Sequence, residues 1–477
     1  MKKTKIIATV GPATNTEEKL IELYKAGVNI IRFNFSHADY EGAKKTADLI
    51  KKLNKNGTTN LSLLLDTKGP EIRSGNVENK ITIKEGDKFK IYVNESKLEG
   101  ETSIFCDYEN LIEDVNVGQD IIIDSGLLNT TVLSKTQDYV VVEAQNGAII
   151  GSRRHINLPG VKLKLPGVTE RDVIDINFAL DNEFDYIAAS FVRNKTGIDD
   201  IKELFAKKND THIKLISKVE NQEAIENIDD IIKYSDGIMI ARGDLGVEVP
   251  IEKLSVYGRE ILEKSKNLGK FVIVATHLLE TMIDNPFPTR AETSDVFNSV
   301  LLQPDCLMLS GETAIGKYPI EAVKMMVKVA REAENYLKHS HRDYSNEGLC
   351  ERDIEKKLLI KSGIYTGEEL NANALVILTK SGLLARLASA FRPDIKVFAF
   401  TKYESSVRIM NSLFGINPIY LEKWKSENYI ETMDGAINYL VQNNLIKKDC
   451  KIIAINDIQR NGKEIPIMEV VNVGEFL

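Results

Sequence analysis

Eight strand-length apolar runs, falling in two groups, constrain this chain more than any other feature. Three come early, at 5–10 (KIIATV), 29–35 (NIIRFNF) and 61–67 (LSLLLDT). Five follow a long gap, at 186–191 (YIAASF), 213–219 (IKLISKV), 237–243 (GIMIARG), 272–276 (VIVAT) and 306–311 (CLMLSG). Helix-periodic segments separate most of them. In TEEKLIELYKAG, Leu20, Leu23 and Tyr24 share one face, Thr16 is the expected cap and Gly27 the expected stop. IEKLSVYGREILEKSKNLG and PIEAVKMMVKVAREAENYL are patterned alike. Eight buried strands with intervening helices predict an α/β fold closed as a (β/α)8 TIM barrel, not an open sheet.

The gap after the third run changes character. ITIKEGDKFKIYV, QDIIIDSGLL and YVVVEAQNG alternate apolar and polar residues between turn glycines, which predicts antiparallel β structure. Prolines bracket it, at Gly69-Pro70 on one side and at Leu158-Pro159-Gly160 and Leu165-Pro166-Gly167 on the other. A β unit inserted in a βα loop overhangs the barrel mouth, where it is expected to act as a lid. After the polar stretch HSHRDYSNEG, the runs ALVILT, KVFAFT, INPIYL, KIIAIN and IMEVVNV alternate with helical segments, predicting an open, largely parallel α/β unit. The expected division is a barrel at 1–69 and 164–340, an inserted antiparallel β-barrel lid at 70–163 and a C-terminal α/β domain at 341–477.

Composition excludes several classes of function. The 62 Lys and Arg residues against 70 Asp and Glu give a net charge of −8, so nucleic acid is not an expected partner. The longest apolar runs are strand-length, so no membrane span is expected, and the apolar stretch after the first lysines is too short for a secretion signal. Cys106, Cys306, Cys350 and Cys450 form no CxxC pair, which argues against a zinc site or a disulfide framework and suits a reducing cytoplasm.

Chemistry is expected where the apolar runs break into charge. The second run of the later group ends in Lys218 and Glu220, and the third in Arg242 and Asp244. Others end in Arg32, Asn34 and Ser36, in Asp66 and Thr67, in Thr276 and in Glu312. Any one of these is also an ordinary polar strand end. Together, above uniformly apolar interiors, they describe one polar mouth at the C-terminal face of a barrel. Lys218 and Glu220 are two apart and so face the same side of a regular strand. Two carboxylates and one ammonium suit Mg²⁺ beside a phosphoryl group, because Mg²⁺ takes few carboxylates and keeps waters and substrate oxygens. A plain structural ion pair is the other reading. Gly243 and Gly246 allow close backbone approach to a ligand, and Arg32 and Arg73 are candidate phosphate forks. GETAIGKY fits GxxxxGK but has Tyr318 where a P-loop needs Ser or Thr, and it follows the last run rather than the first.

TKIIATVGPAT, RFNFSH, LLLDTKGPEIR, NLPG, SFVR, SKVENQEAI, GIMIARGDLGVE, PTRAETSDV and MLSGETAIGKYP occur in this order along essentially the whole chain. In them the chain resembles the pyruvate kinases. The resemblance implies phosphoryl transfer from phosphoenolpyruvate to ADP, giving pyruvate and ATP, the last step of glycolysis, usually in a homotetramer. It places Lys218 on the lysine that stabilises the transferring group, and Glu220 and Asp244 on the ligands of Mg²⁺ (or Mn²⁺). Asn34, Ser36, Asp66 and Thr67 fall on the K⁺ site. Arg32, Gly243, Asp244 and Thr276 fall on substrate contacts, with Thr276 placed to relay a proton to the enolate. Asn34, Phe35, Ser36, His37, Arg73 and Arg154 fall on the nucleotide side. Glu71 matches the residue associated with K⁺ dependence. Met1 lies almost on the first strand, so the N-terminal arm of some members is expected to be absent.

Departures from the family pattern sit beside these positions. Arg154 replaces a lysine, Asp124-Ser125-Gly126 replaces Asp-Asp-Gly, and His277 replaces a glutamine. In the loop of Thr379, Lys380, Ser381, Gly382, Leu383 and Leu384, two apolar residues replace polar ones that cradle a sugar bisphosphate. The segment from Asn456 to Arg460 lacks the family's later glycine run. Weak or absent activation by fructose 1,6-bisphosphate is therefore expected. An aldolase or lyase acting on a 2-oxo acid would share the metal and the enolate, but it would need neither a K⁺ pocket nor a nucleotide lid. A non-catalytic metabolite sensor would have no use for Lys218, Glu220, Asp244 and Thr276 together.

Overall fold

The computed structural model of the chain describes residues 2–37, 39–100, 102–208, 212–337, 342–424, 429–460 and 463–476. The first three apolar runs are strands β1 (Lys5–Thr9), β2 (Ile30–Asn34) and β3 (Ser62–Asp66). The insertion supplies β4 (Ile81–Ile83), β5 (Lys88–Tyr92), β6 (Ile104–Phe105), β7 (Asp120–Ile123), β8 (Leu128–Lys135), β9 (Tyr139–Ala144), β10 (Ala148–Ile150) and β11 (Ile156–Asn157). The later group forms β12 (Tyr186–Ala189), β13 (Lys214–Val219), β14 (Gly237–Ala241), β15 (Phe271–Ala275) and β16 (Cys306–Leu309). β1 to β3 and β12 to β16 close into one parallel barrel in the order β1-β16-β15-β14-β13-β12-β3-β2.

The strand period of two explains the barrel's interior. Ile7, Ile30, Leu64, Ala188, Ile216, Met239, Ile273 and Met308 belong to one apolar cluster filling the cylinder, while their chain neighbours pack outward on the helices. Moving two residues toward the C-terminal end keeps each side chain on the inner face. That step turns Ile7 into Thr9, Ile30 into Arg32, Leu64 into Asp66, Ala188 into Ser190 and Ile216 into Lys218. The polar mouth is the next layer of the same inner face.

The helices obey their terminal signals. Thr16 accepts a hydrogen bond from the Lys19 N–H at the start of Glu17–Ala26. Gly27, at φ 118°, closes that helix with its N–H on the Leu23 and Tyr24 carbonyls. A glycine is needed there because side chains are strained at that φ.

The insertion has its own core, built around Ile91, Ile121, Val140 and Val142. Its main sheet runs β11-β7-β8-β9-β5-β6, with β4 and β10 paired separately. The antiparallel expectation meets one exception: β5 and β6 run parallel. The two edges are joined by segment 72–75, in single bridges rather than a ladder. Arg73 pairs with His155 beside β11, and Ser74 pairs with Cys106 beside β6.

The C-terminal sheet is β17 (Ala374–Leu378), β18 (Val397–Thr401), β19 (Ile416–Tyr420), β20 (Lys451–Arg460) and β21 (Lys463–Asn472), in the order β19-β18-β17-β20-β21. Four strands are parallel, and β21 returns antiparallel on β20. The boundary expected at 340–341 lies outside the described residues.

This sheet's unit docks under the N-terminal end of the barrel through buried polar contacts. Asp305, just before β16, meets Arg392 at 2.8 Å, both side chains fully buried, and also accepts from the Phe414 N–H at 3.1 Å. Asp185 takes the Arg408 guanidinium at 2.8 Å, and the Tyr186 hydroxyl donates to the Ile409 carbonyl at 2.5 Å. Removing one member of a buried pair leaves the other charge desolvated and alone, at a cost of about 3–5 kcal/mol. Asp305→Ala should therefore lower the first calorimetric unfolding transition by several degrees. An unshifted transition would show that the pair does not hold the two units together.

Candidate active site

Lys218 stands at the centre of the mouth. Its ammonium lies 2.7 Å from Ser190 Oγ, 2.9 Å from Glu220 Oε1 and 3.1 Å from Asp66 Oδ1. The other Asp66 oxygen accepts from Arg32 Nε at 2.7 Å, and Arg32 Nη1 donates to Thr9 Oγ1 at 3.0 Å. Register explains the convergence, since Thr9 is paired with Arg32, and Asn34 with Asp66 on the next strand.

All four charged groups are buried. Burial disfavours the Lys218 ammonium, yet the Asp66 and Glu220 carboxylates outweigh that penalty and raise its pKa. Burial also works against the Asp66 carboxylate, but Arg32 and Lys218 hold its pKa below the usual range. Glu220 behaves differently. Burial pushes its pKa up to about 7, opposed by Lys218 and reinforced by the Asp244 charge.

Glu220 Oε2 accepts from the Phe191 N–H at 2.7 Å. Oε1 makes no well-directed hydrogen bond among the described residues and meets only the Lys218 ammonium. A buried, under-satisfied carboxylate oxygen beside a second carboxylate fits a hard divalent cation. Among the described residues no cluster of three or more His, Cys, Asp or Glu side chains is arranged to hold a metal. Mg²⁺ takes one or two carboxylates and leaves its other positions to water and substrate. Asn34, Ser36, Asp66 and Thr67 offer oxygen donors only, the chemistry a monovalent cation needs. Asn34 is exposed, with its Oδ1 accepting from the Ser36 N–H at 3.2 Å.

Across the mouth, β14 leads directly into the helix Arg242–Glu248, and β15 into Thr276 and His277. Both of these residues are left-handed, at φ 66° and 54°. That conformation is costly for a β-branched threonine, so the surroundings must impose it. Arg242 does so, donating to the Thr276 carbonyl at 2.8 Å while its guanidinium is paired with Asp295. Thr276 Oγ1 accepts from the Gly243 N–H at 2.8 Å and donates to the Ala275 carbonyl at 2.7 Å. A Cβ on Gly243 would stand 3.4 Å from Thr276 Oγ1 and from the His277 ring.

The insertion contributes the far wall. Asn157 donates to Glu248 Oε1 at 2.7 Å. Burial lifts the Glu248 pKa to about 7, with Asn157 opposing and Asp244 adding. Burial lowers the pKa of His155, while Glu71 and Asp244 pull the other way. Asp244 thus acts on Lys218, Glu220, Glu248 and His155 alike.

Of the expected nucleotide residues, Arg73 and Arg154 make their contacts outside this cluster. Arg73 is held by Glu71, Nε to Oε2 at 2.7 Å, and by the Arg153 carbonyl. Arg154 lies 3.5 Å from Asp124, itself left-handed with Ser125 and Gly126 in the turn after β7. The Phe35 ring is buried against Tyr40 and Phe178. The side chain of His37 lies outside the described residues. Sequence reasoning missed Thr9, Ser190, the Phe191 N–H, Asp295, and the Asn157–Glu248 contact. The inner-face period points to Thr9 and Ser190, while nothing in the pattern marks the others.

Similarity to known proteins runs along the chain in the same way. The sequence model of the pyruvate kinase barrel domain matches residues 1–323, and that of the pyruvate kinase alpha/beta domain matches 358–471. The pyruvate kinase of Dictyostelium discoideum is 37% identical over 490 residues, covering 100% of this chain and 95% of that protein. That of Clostridium acetobutylicum is 37% identical over 481 residues, covering 100% of both. The crystal structure of a pyruvate kinase from Cryptosporidium parvum superposes with a TM-score of 0.91 at 34% identity, covering 99% of this chain and 96% of that one. With motifs, barrel, inserted β unit and C-terminal sheet all matched end to end, the chain belongs to the pyruvate kinase family.

Proposed function

We propose that Lys218 meets the charge of the phosphoryl group in the reaction of this phosphotransferase, from phosphoenolpyruvate to ADP, yielding pyruvate and ATP. The observation carrying this assignment is the placement of its ammonium, fixed by three oxygens at the open end of the barrel. Phosphoryl transfer spreads negative charge over the moving group, so catalysis consists mainly of positioning and charge neutralisation. Arg32, locked between Asp66 and Thr9, is assigned to bind a substrate anion, with the Gly243 backbone, Asp244 and Thr276 on the opposite side. Thr276 is the proposed relay of a proton to the enolate carbon.

Glu220 and Asp244 are the proposed ligands of Mg²⁺ or Mn²⁺, and Asn34, Ser36, Asp66 and Thr67 those of K⁺. When bound, these cations would neutralise charge on the phosphates and on the enolate oxygen. Arg73 and Arg154, with 34–37, are the proposed nucleotide side. That placement makes the insertion, taken as 70–163 between barrel segments 1–69 and 164–340, a lid over ADP.

Residues 341–477 are the proposed regulatory domain. Leu383 and Leu384, the latter buried, support weak or absent response to fructose 1,6-bisphosphate. A cytoplasmic homotetramer is the proposed working form. Free cysteines agree with the cytoplasm. Among the described residues no helix is long and apolar enough to cross a membrane.

The wild-type chain should form pyruvate, followed through lactate dehydrogenase, only when both phosphoenolpyruvate and ADP are present. Lys218→Ala should cut kcat by about 10²–10³-fold while KM for phosphoenolpyruvate changes little. Near-normal turnover would remove Lys218 from the mechanism. Replacing KCl with tetramethylammonium chloride should depress the rate at least about tenfold. Full activity without K⁺ would defeat the assignment of the 34/36/66/67 oxygens.

The raised Glu220 pKa gives a further expectation. A carboxylate must be ionised to hold a cation. The raised pKa favours the protonated carboxyl of Glu220 as pH falls below neutral in the metal-free protein, so Mg²⁺ binding there should release protons. Apparent Mg²⁺ affinity should rise with pH up to about 7 and then level off. Calorimetric titrations in two buffers of different ionisation heat would measure the release, which Glu220→Gln should abolish.

A further inference from the structure

Lys218 has three oxygen neighbours, of which two are carboxylates and one is neutral. The neutral one, Ser190 Oγ, makes the shortest contact, at 2.7 Å. Its own proton is committed elsewhere, to the Thr67 carbonyl at 2.6 Å, so the hydroxyl is held with a lone pair turned to the lysine. Ser190 Oγ also lies 3.2 Å from Asp66 Oδ1, and the Ser190 N–H donates to Thr67 Oγ1 at 3.2 Å. The loop after β3 approaches so closely that a Cβ on Gly69 would stand 2.8 Å from the Ser190 Cβ.

The next residue extends the arrangement. Phe191 is left-handed at φ 53°, an uncommon conformation outside glycine. That turn aims its N–H at Glu220 Oε2. Ser190 and Phe191 together touch Asp66 and Thr67, the lysine, and Glu220. These are the proposed K⁺ oxygens, the proposed phosphoryl contact and a proposed Mg²⁺ ligand.

We propose that Ser190 is a positioning residue that couples occupancy of the K⁺ site to the orientation of the Lys218 ammonium. A carboxylate near the lysine cancels the charge needed at the phosphoryl group. A hydroxyl fixes direction without cancelling charge. Once Asp66 is drawn toward one cation and Glu220 toward another, Ser190 is the acceptor that still holds the ammonium. Its donated proton on the Thr67 carbonyl makes that grip depend on what Thr67 and Asp66 bind. The inference rests on the assignment of Lys218 and the K⁺ oxygens above.

Ser190→Ala removes one oxygen and adds no volume. It should lower kcat about tenfold to a hundredfold, leave KM for phosphoenolpyruvate within about threefold, and raise the KCl concentration for half-maximal rate several-fold. A second readout needs no turnover. In substrate-free protein at constant ionic strength, KCl replacing tetramethylammonium chloride should raise the melting temperature of the wild type, and in Ser190→Ala that rise should need more KCl. An unchanged kcat overturns the proposal. So does a lowered kcat with both KCl titrations unmoved, since Ser190 would then serve the lysine alone. A wild-type chain that makes no pyruvate from phosphoenolpyruvate and ADP would instead strike the functional assignment itself.

Discussion

Four buried charges at the rim of the barrel govern the rest of the structure. Lys218 and Arg32 share the Asp66 carboxylate, and Lys218 also meets Glu220. Taking four charges out of water is expensive, and mutual attraction repays it only where geometry is good and the remaining polar atoms are satisfied. Here satisfaction is deliberately incomplete in chemical terms. Thr9, Ser190 and the Phe191 N–H serve most of the cluster, while one Glu220 oxygen keeps only the lysine. The cluster is nearly balanced by itself, and its shortfall sits at the position that suits a divalent cation.

Much of this was legible in the sequence because the strand period is rigid. Eight apolar runs became eight barrel strands, and the polar residues two steps past the interior became the mouth. Lys218 and Glu220 were readable because charge directly after the apolar IKLIS marks a strand end, although the residues alone also allowed a plain structural ion pair. Ser190 carries the same period but not the same signal, because a serine after four apolar residues is also what any strand end looks like. The Phe191 N–H was invisible, since a left-handed backbone at a phenylalanine has no composition to announce it. Thr276 was readable as a residue but not as a strained one. The clamp that strains it joins Arg242 to Asp295, 53 positions apart in the chain.

The insertion shows the same limit. Alternation in YVVVEAQNG and QDIIIDSGLL predicted strands, but it does not say how the sheet's edges are dealt with. Segment 72–75 joins them through isolated bridges, too short to give a periodic signal. In the parallel β5–β6 pair, β6 contributes only two residues beside β5, after a connection through 95–97. Side-chain period reports which face is buried, not which neighbour a strand meets.

The two ends of the barrel explain why a site this demanding can be held still. Oriented groups accelerate a reaction only if the scaffold keeps them within a fraction of an ångström of their working positions. β12 is four residues long and pinned at both ends. Below, the Tyr186 hydroxyl is bound to the Ile409 carbonyl and Asp185 to Arg408. Above, Ser190 and Phe191 are bound to Thr67, Lys218 and Glu220. β16 is likewise anchored below, through Asp305 to Arg392, and above, where the Ser310 N–H donates to Glu312. The C-terminal unit therefore does more than append a sheet to the barrel. By satisfying the buried polar groups at the barrel's base, it anchors the strands whose opposite ends carry the proposed site.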